Sequence, residues 1–260
     1  MIAPAFSEFE GQMWIWLMAM IRPSAAMVVA PIFGAANVPV QIRIILAFMI
    51  GMVAANSVGF ELPTDTAISL ANILFVMGEV VTGVAIGFAL QLGYSSVLIA
   101  GETISNAMGL GFASMSDPQT GQSTPVIGQF LTIFATLLLL AIDGHLLLIA
   151  TIVKSYAALP PGFAMLDSNI LYSMVEFGGT LFSMGLLIAL PVGGALILIQ
   201  LMMGFLARTA PALNLFAVGI PVTITAGLIA LAVTAPIMAD TIIRALGMGL
   251  DQAAFVAGGG

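Results

Sequence analysis

The chain has 260 residues, 61% of them hydrophobic and only 7% charged, with 12 acidic side chains against 5 basic ones. So few charges cannot coat a water-soluble globule, and so much apolar content excludes disorder. The acid excess leaves no basic patch for nucleic acid or for clinging to anionic lipid, the absence of cysteine excludes thiol chemistry and disulfides, and a single histidine, His145, excludes a multi-histidine metal site.

What remains is an all-α fold, a polytopic membrane bundle or a subunit buried in a membrane assembly. A spanning helix needs about 20 apolar residues to cross about 30 Å of hydrocarbon. Glu8 and Glu10 stand before the first apolar run. A secretory signal would be basic there, so the leading segment is expected to be retained. Residues 13–33 form one expected span, apolar apart from Arg22-Pro23. The stretch Ala35-Ala36-Asn37-Val38-Pro39 reads as a turn, and the next helix is expected to begin near Arg43 and run on through the charge-free residues 44–60. Glu61-Leu62-Pro63-Thr64-Asp65 is a connection, with Thr64 or Asp65 as an N-cap. Residues 67–100 are interrupted by Glu79 alone, and Gly83 and Gly87 form a small-xxx-small pair suited to close helix approach.

Residues 101–118 are compositionally odd. Glycines, which loosen a helix, alternate with Met108, Leu110, Phe112 and Met115. Composition alone leaves two readings, a kinked helix end in a crowded bundle or a soft apolar plug that seals a pore yet yields to a passing chain. A turn follows at Ser116–Gln122, and the charge-free run 118–142 ends at Asp143-Gly144-His145, where Gly144 is expected to let the chain turn. Leu159-Pro160-Pro161-Gly162 opens a loop toward Asn169. Residues 177–207 and 209–239 are two charge-free arms separated by Arg208, each 31 residues long. As helices they would measure about 46 Å, half as long again as a bilayer core. Pro191 and Pro221 are expected to kink them, and residues 204–214 to join them. Gly178-Gly179 and Gly193-Gly194 add further small residues, and Asp240 and Arg244 are spaced to pair on a final helix. Lys154 and Arg208 place their loops in the cytoplasm by the positive-inside rule.

A charge inside a membrane costs about 2.5–3.5 kcal/mol at a helix centre, which makes each one a functional candidate. Glu79, Glu102, Asp143 and Glu176 read as helix-end groups, as contacts to other subunits or as members of a proton or ion relay. Asp143 and His145 could form a proton-handling pair, or simply a capped break where a helix meets the interface. No G-x-S-x-G elbow and no G-x-x-x-x-G-K-[ST] phosphate loop occurs. The chain is therefore expected to be no enzyme, and neither a metal nor a cofactor is expected.

Blocks along nearly the whole chain carry a resemblance. They are Arg22, Ala30-Pro31-Ile32-Phe33-Gly34, Val38-Pro39 with Arg43, and Gly101-Glu102 through Gly109-Leu110, Phe112-Ala113 and Asp117-Pro118. Asp143-Gly144-His145-Leu146-Leu147-Leu148-Ile149 and Leu190-Pro191-Val192 follow, and then the most specific block, Gly204-Phe205-Leu206-Ala207-Arg208-Thr209-Ala210-Pro211-Ala212-Leu213-Asn214-Leu215-Phe216 with Gly219-Ile220-Pro221. In these the chain resembles the FliR/SctT family of type III export-apparatus proteins.

The resemblance implies a single subunit of long helical hairpins over 1–260, with residues 1–167 FliP-like and 168–260 a FliQ-like terminal hairpin. It implies partners: FliP-like and FliQ-like subunits, FlhB and FlhA as neighbours, membrane lipid, and exported flagellar proteins as cargo. It implies a place in the bacterial inner membrane at the flagellar basal body, and a pore-plugging role for the loop at 107–117, here Met108, Leu110, Phe112 and Met115. Glu79, Glu102, Asp143, His145, Glu176 and Arg208 are then expected to be buried charges or subunit contacts. The alternatives are the same subunit in a virulence secretion system, or a stand-alone transporter with paired charges or broken helices at the bilayer midplane.

Overall fold

The computed structural model describes residues 2–58, 69–111, 126–161, 168–209 and 215–259. Among the described residues every regular element is an α-helix: α1 Ile2–Ala19, α2 Ile21–Val29, α3 Val40–Val58, α4 Leu70–Ala107, α5 Val126–Ala141, α6 Gly144–Ala158, α7 Ser168–Thr209 and α8 Leu215–Ala257. Five helical stretches are long and apolar enough to cross a membrane, or six if α5 and α6 are taken as one broken span. These helices are hydrophobic nearly all round, as expected where lipid or protein surrounds them and water does not.

The expected span over 13–33 is helical up to Val29, but α1 gives way to α2 at Met20. Pro23 sits in the first turn of α2, where its missing N–H does least harm. That missing donor leaves the Ala19 carbonyl without its helical partner, and the Tyr156 hydroxyl donates to it at 2.7 Å. α3 begins at Val40, directly after Pro39, three residues earlier than the sequence suggests. Arg43, one turn in, donates to the carbonyls of Ala35 and Val38 and so ties the preceding turn to the helix.

The chain forms two compact units, both discontinuous in sequence. The first comprises Met1–Gly93, Asp143–Gly178 and Leu246–Gly260. Its core gathers Ala19, Ala54, Ala55, Phe75 and Tyr156, flanked by Ile15, Trp16 and Met18. Backbones approach closely here. A Cβ on Gly83 would lie 2.3 Å from the Arg22 carbonyl oxygen, and one on Gly87 would lie 2.3 Å from that of Ala26. The small-xxx-small pair is therefore the seam between α4 and α2, where backbone contact supplies the attraction that lipid does not.

The second unit comprises Tyr94–Ile142 and Gly179–Ala245. Here Gly101 meets Gly128, whose Cα would stand 2.4 Å from an added Cβ. That crossing keeps Gly101 helical, so α4 runs on to Ala107 where a loosened segment was expected from 101. Tyr94 reinforces the crossing by hydrogen bonding to Thr136 at 2.7 Å and to the Thr132 carbonyl at 3.1 Å.

The two apolar arms are helices of 42 and 43 residues, longer than the charge-free runs that announce them. α7 continues through Gly204 to Thr209, so the first half of the expected 204–214 connection is helix. Pro191 lies inside α7, and Pro221 and Pro236 lie inside α8. Asp240 and Arg244 form no ion pair. Arg244 donates instead to Thr241 at 3.3 Å, three residues back and on its own face. The expected N-cap at Thr64 or Asp65 and the turn at 116–122 lie outside the described residues.

Candidate functional site

Two places concentrate polar chemistry in this apolar chain. The first is a charge cluster in the first unit. Arg22 on α2 and Glu79 on α4 are both fully buried, and they meet in a bidentate pair: Nε to Oε2 at 2.9 Å and Nη2 to Oε1 at 2.8 Å. Nη1 donates to Ser155 Oγ at 2.9 Å, and Nη2 donates also to the Leu159 carbonyl at 3.0 Å. The Ser155 hydroxyl in turn donates a hydrogen bond to the Ile152 carbonyl at 2.7 Å. The guanidinium lies 4.0 Å from the centroid of the Tyr156 ring. A planar fork of donors is what such a site requires, because it satisfies two carboxylate oxygens, a hydroxyl and a carbonyl at once. Removing one partner of a pair this buried costs about 3–5 kcal/mol. The cluster fastens α2, α4 and the end of α6 together, and it presents no free nucleophile or open coordination site.

Glu79 is among the candidates expected from the sequence, and its partner Arg22 is not. Arg22 and Glu79 are each the lone charge in a long apolar run, and that shared isolation is the signal that could have joined them.

The second place is the end of α4 in the second unit. Gly109 has φ +80°, the left-handed conformation glycine adopts freely. Its N–H bonds the Asn106 carbonyl at 3.0 Å, and the Leu110 N–H bonds that of Ser105 at 3.0 Å. This is the two-bond pattern of a Schellman cap. Met108 is fully buried, and Leu110 is half-buried. The Met108 side chain lies where a Cβ on Gly227 would fall, 2.7 Å from its Cγ. Phe112 and Met115 lie outside the described residues.

The remaining singled-out residues are dispersed. Glu102 and Glu176 are exposed on α4 and α7. Arg208 is exposed in the last turn of α7, where a positive charge suits the helix dipole. Asp143 is exposed, and it carries the left-handed turn itself, with φ 55°, in the role expected of Gly144. Aspartate tolerates that region better than most side chains, and its carbonyl accepts the first N–H groups of α6, from Leu146 and Leu147. No hydrogen bond joins Asp143 to His145, whose Nδ1 is buried without a partner among the described residues.

Arg22–Glu79 is the one ion pair among the described residues, and no group of acidic and histidine side chains there could hold a metal. A cavity of about 380 Å³ in the second unit is lined by apolar side chains only, among them Ile127, Phe130, Leu131, Leu228, Leu231 and Met238. It offers no group for acid–base or covalent chemistry.

Long apolar helices, a buried structural ion cluster and no assembled catalytic centre among the described residues define a polytopic helical membrane protein. Residues 13–248 match the model of a protein family described as bacterial export proteins, family 1. The chain is 33% identical to the flagellar biosynthetic protein FliR of Escherichia coli (strain K12), an alignment covering 89% of this chain and 90% of that protein. It is 32% identical to FliR of Pectobacterium carotovorum subsp. carotovorum, covering 90% of this chain and 89% of the relative. FliR of Bacillus subtilis (strain 168) is also 32% identical, covering 84% of this chain and 85% of that one. The chain belongs to this family of bacterial export proteins, on its FliR branch.

Proposed function

We propose that the chain is a structural subunit of the flagellar protein export gate, set in the bacterial inner membrane at the flagellar basal body. It performs no catalysis, and its partners supply the energy. The observation that carries this reading is the match over residues 13–248 to export proteins, with relatives of nearly the same length named for flagellar biosynthesis.

The long helices support a role inside an assembly. At 42 and 43 residues, α7 and α8 would each extend about 63–65 Å, twice the hydrocarbon thickness. Their flanks stay apolar along that length: Leu190, Phe205 and Val233 are 63%, 70% and 73% exposed. A bilayer covers about half of such a helix, and neighbouring subunits cover the rest. FliP-like and FliQ-like chains are the partners, with residues 1–167 taking the FliP-like place and 168–260 the FliQ-like one. FlhB and FlhA adjoin them, and exported flagellar proteins are the cargo.

Within this gate, residues 107–117 are the plug. The abrupt capped end of α4 at Gly109 and the adaptable side chains of Met108, Leu110, Phe112 and Met115 support that role. Deleting residues 108–115 should make the assembled gate leak ions at rest. Membranes that stay equally ion-tight, with export unchanged, overturn the assignment.

A further inference from the structure

The last turn of any α-helix leaves its final carbonyls without intrahelical donors. At the end of α4 the Schellman cap satisfies two of them, those of Ser105 and Asn106. The next two are taken by side chains from the terminal hairpin. Gln200 Nε2 on α7 donates to the Ala107 carbonyl at 2.8 Å, and Thr223 Oγ1 on α8 donates to the Met108 carbonyl at 3.0 Å. The residues around Gln200 explain why this is notable. From Leu196 to Leu206 it is the only polar side chain, and a bare amide facing hydrocarbon would be costly there. Gly227, one turn beyond Thr223, leaves the space that the Met108 side chain fills.

We infer that Gln200 and Thr223 are positioning residues for the plug, forming a polar latch that holds its root closed. The inference rests on the reading of residues 107–117 as the plug. The Thr223 hydroxyl has one proton and three acceptors in reach: the Met108 carbonyl, and those of Gly219 at 3.1 Å and Ile220 at 3.0 Å in its own helix. When the plug withdraws, the hydroxyl turns back onto α8 and leaves no orphaned donor. Such back-bonding is an ordinary option for threonine in helices. The latch is therefore specific when closed and easily released.

The test uses the full export complex in cells, with potassium efflux at rest as one readout and export as the other. Thr223→Val and Gln200→Met each remove a donor at nearly constant volume. Each should leave the complex assembled and raise the resting leak about two- to tenfold, the population shift that one neutral hydrogen bond supports. Thr223→Ser should restore tightness. If both variants assemble and remain as tight as wild type while the 108–115 deletion leaks, the latch is refuted and the plug stands. If the deletion is tight as well, both fall.

A second arm covers variants that fail to assemble. The chain has no cysteine of its own, so Met108→Cys with Gly227→Cys gives a single defined pair at a separation a disulfide can bridge. Oxidation should arrest export and a thiol reductant should restore it. Undiminished export through gates verified as cross-linked overturns the inference.

Discussion

Two glycine pairs that look alike in the sequence do different things. Gly83 and Gly87 on α4 touch the backbone of α2 so closely that neither tolerates a methyl group. Gly193 and Gly194 on α7 meet nothing within 4 Å among the described residues, and the same holds for Gly178 and Gly179. The most apolar stretch of α4 is 50% buried within the chain, that of α7 only 22%. Small residues permit close approach but do not say to what. In α4 the neighbour is another helix of the same chain. In α7 the smooth face meets nothing else among the described residues, which leaves it open to the subunit contacts proposed above.

The largest effect expected from breaking this contrast lies on the α4 side. Glu79→Ala or Arg22→Ala leaves a buried charge unpaired, at a cost of about 3–5 kcal/mol. Either variant should be lost from the membrane fraction. The double variant Arg22→Met with Glu79→Leu should recover much of the protein, because an apolar pair of similar volume is tolerated where half an ion pair is not. Wild-type levels of both single variants would show that the cluster is not what secures α2.

A smaller effect separates the glycines themselves. Gly83→Leu or Gly87→Leu must force two backbones apart, costing about 1–3 kcal/mol in the isolated chain. Gly193→Leu or Gly194→Leu should leave detergent-solubilised single chains within about 0.5 kcal/mol of wild type, yet reduce recovery of the assembled complex. Equal behaviour of the two pairs would erase the distinction. The smallest effect is that of a conservative exchange at the α6 start. Asp143→Asn should shift thermal unfolding by no more than about 0.5 kcal/mol, since asparagine also tolerates positive φ. Asp143→Val should cost about 1–2 kcal/mol there.

The helices were legible in the sequence because hydrophobic length alone marks a membrane span. Proline marked the turn before α3, at Val38-Pro39, but the ends were less exact: α3 starts three residues before the expected Arg43, and α4 holds to Ala107 where loosening was expected from 101. Tertiary relations were not legible. With apolar residues on every side of these helices, periodicity cannot say which face turns inward, so the contact of Arg22 with Glu79, 57 residues away, left no local trace. The same holds for Gln200 and Thr223, which look like stray polar residues until α4 is seen to end beside them. Gly101 misled for a related reason. Its intrinsic cost to a helix was visible, but the Gly128 crossing that offsets this cost was not.

The arginine on α2 also sets a timetable. It is made early, but its carboxylate follows 57 residues later and its serine 133 residues later. At ribosomal speeds of about 5–20 residues per second, the first wait lasts about 3–11 seconds. During it the nascent second helix carries an unneutralised cation, at a cost of about 2.5–3.5 kcal/mol at a helix centre in hydrocarbon. The charge is met only when the fourth helix emerges, and the hydroxyl and carbonyl that complete its hydrogen bonding only with the end of the sixth.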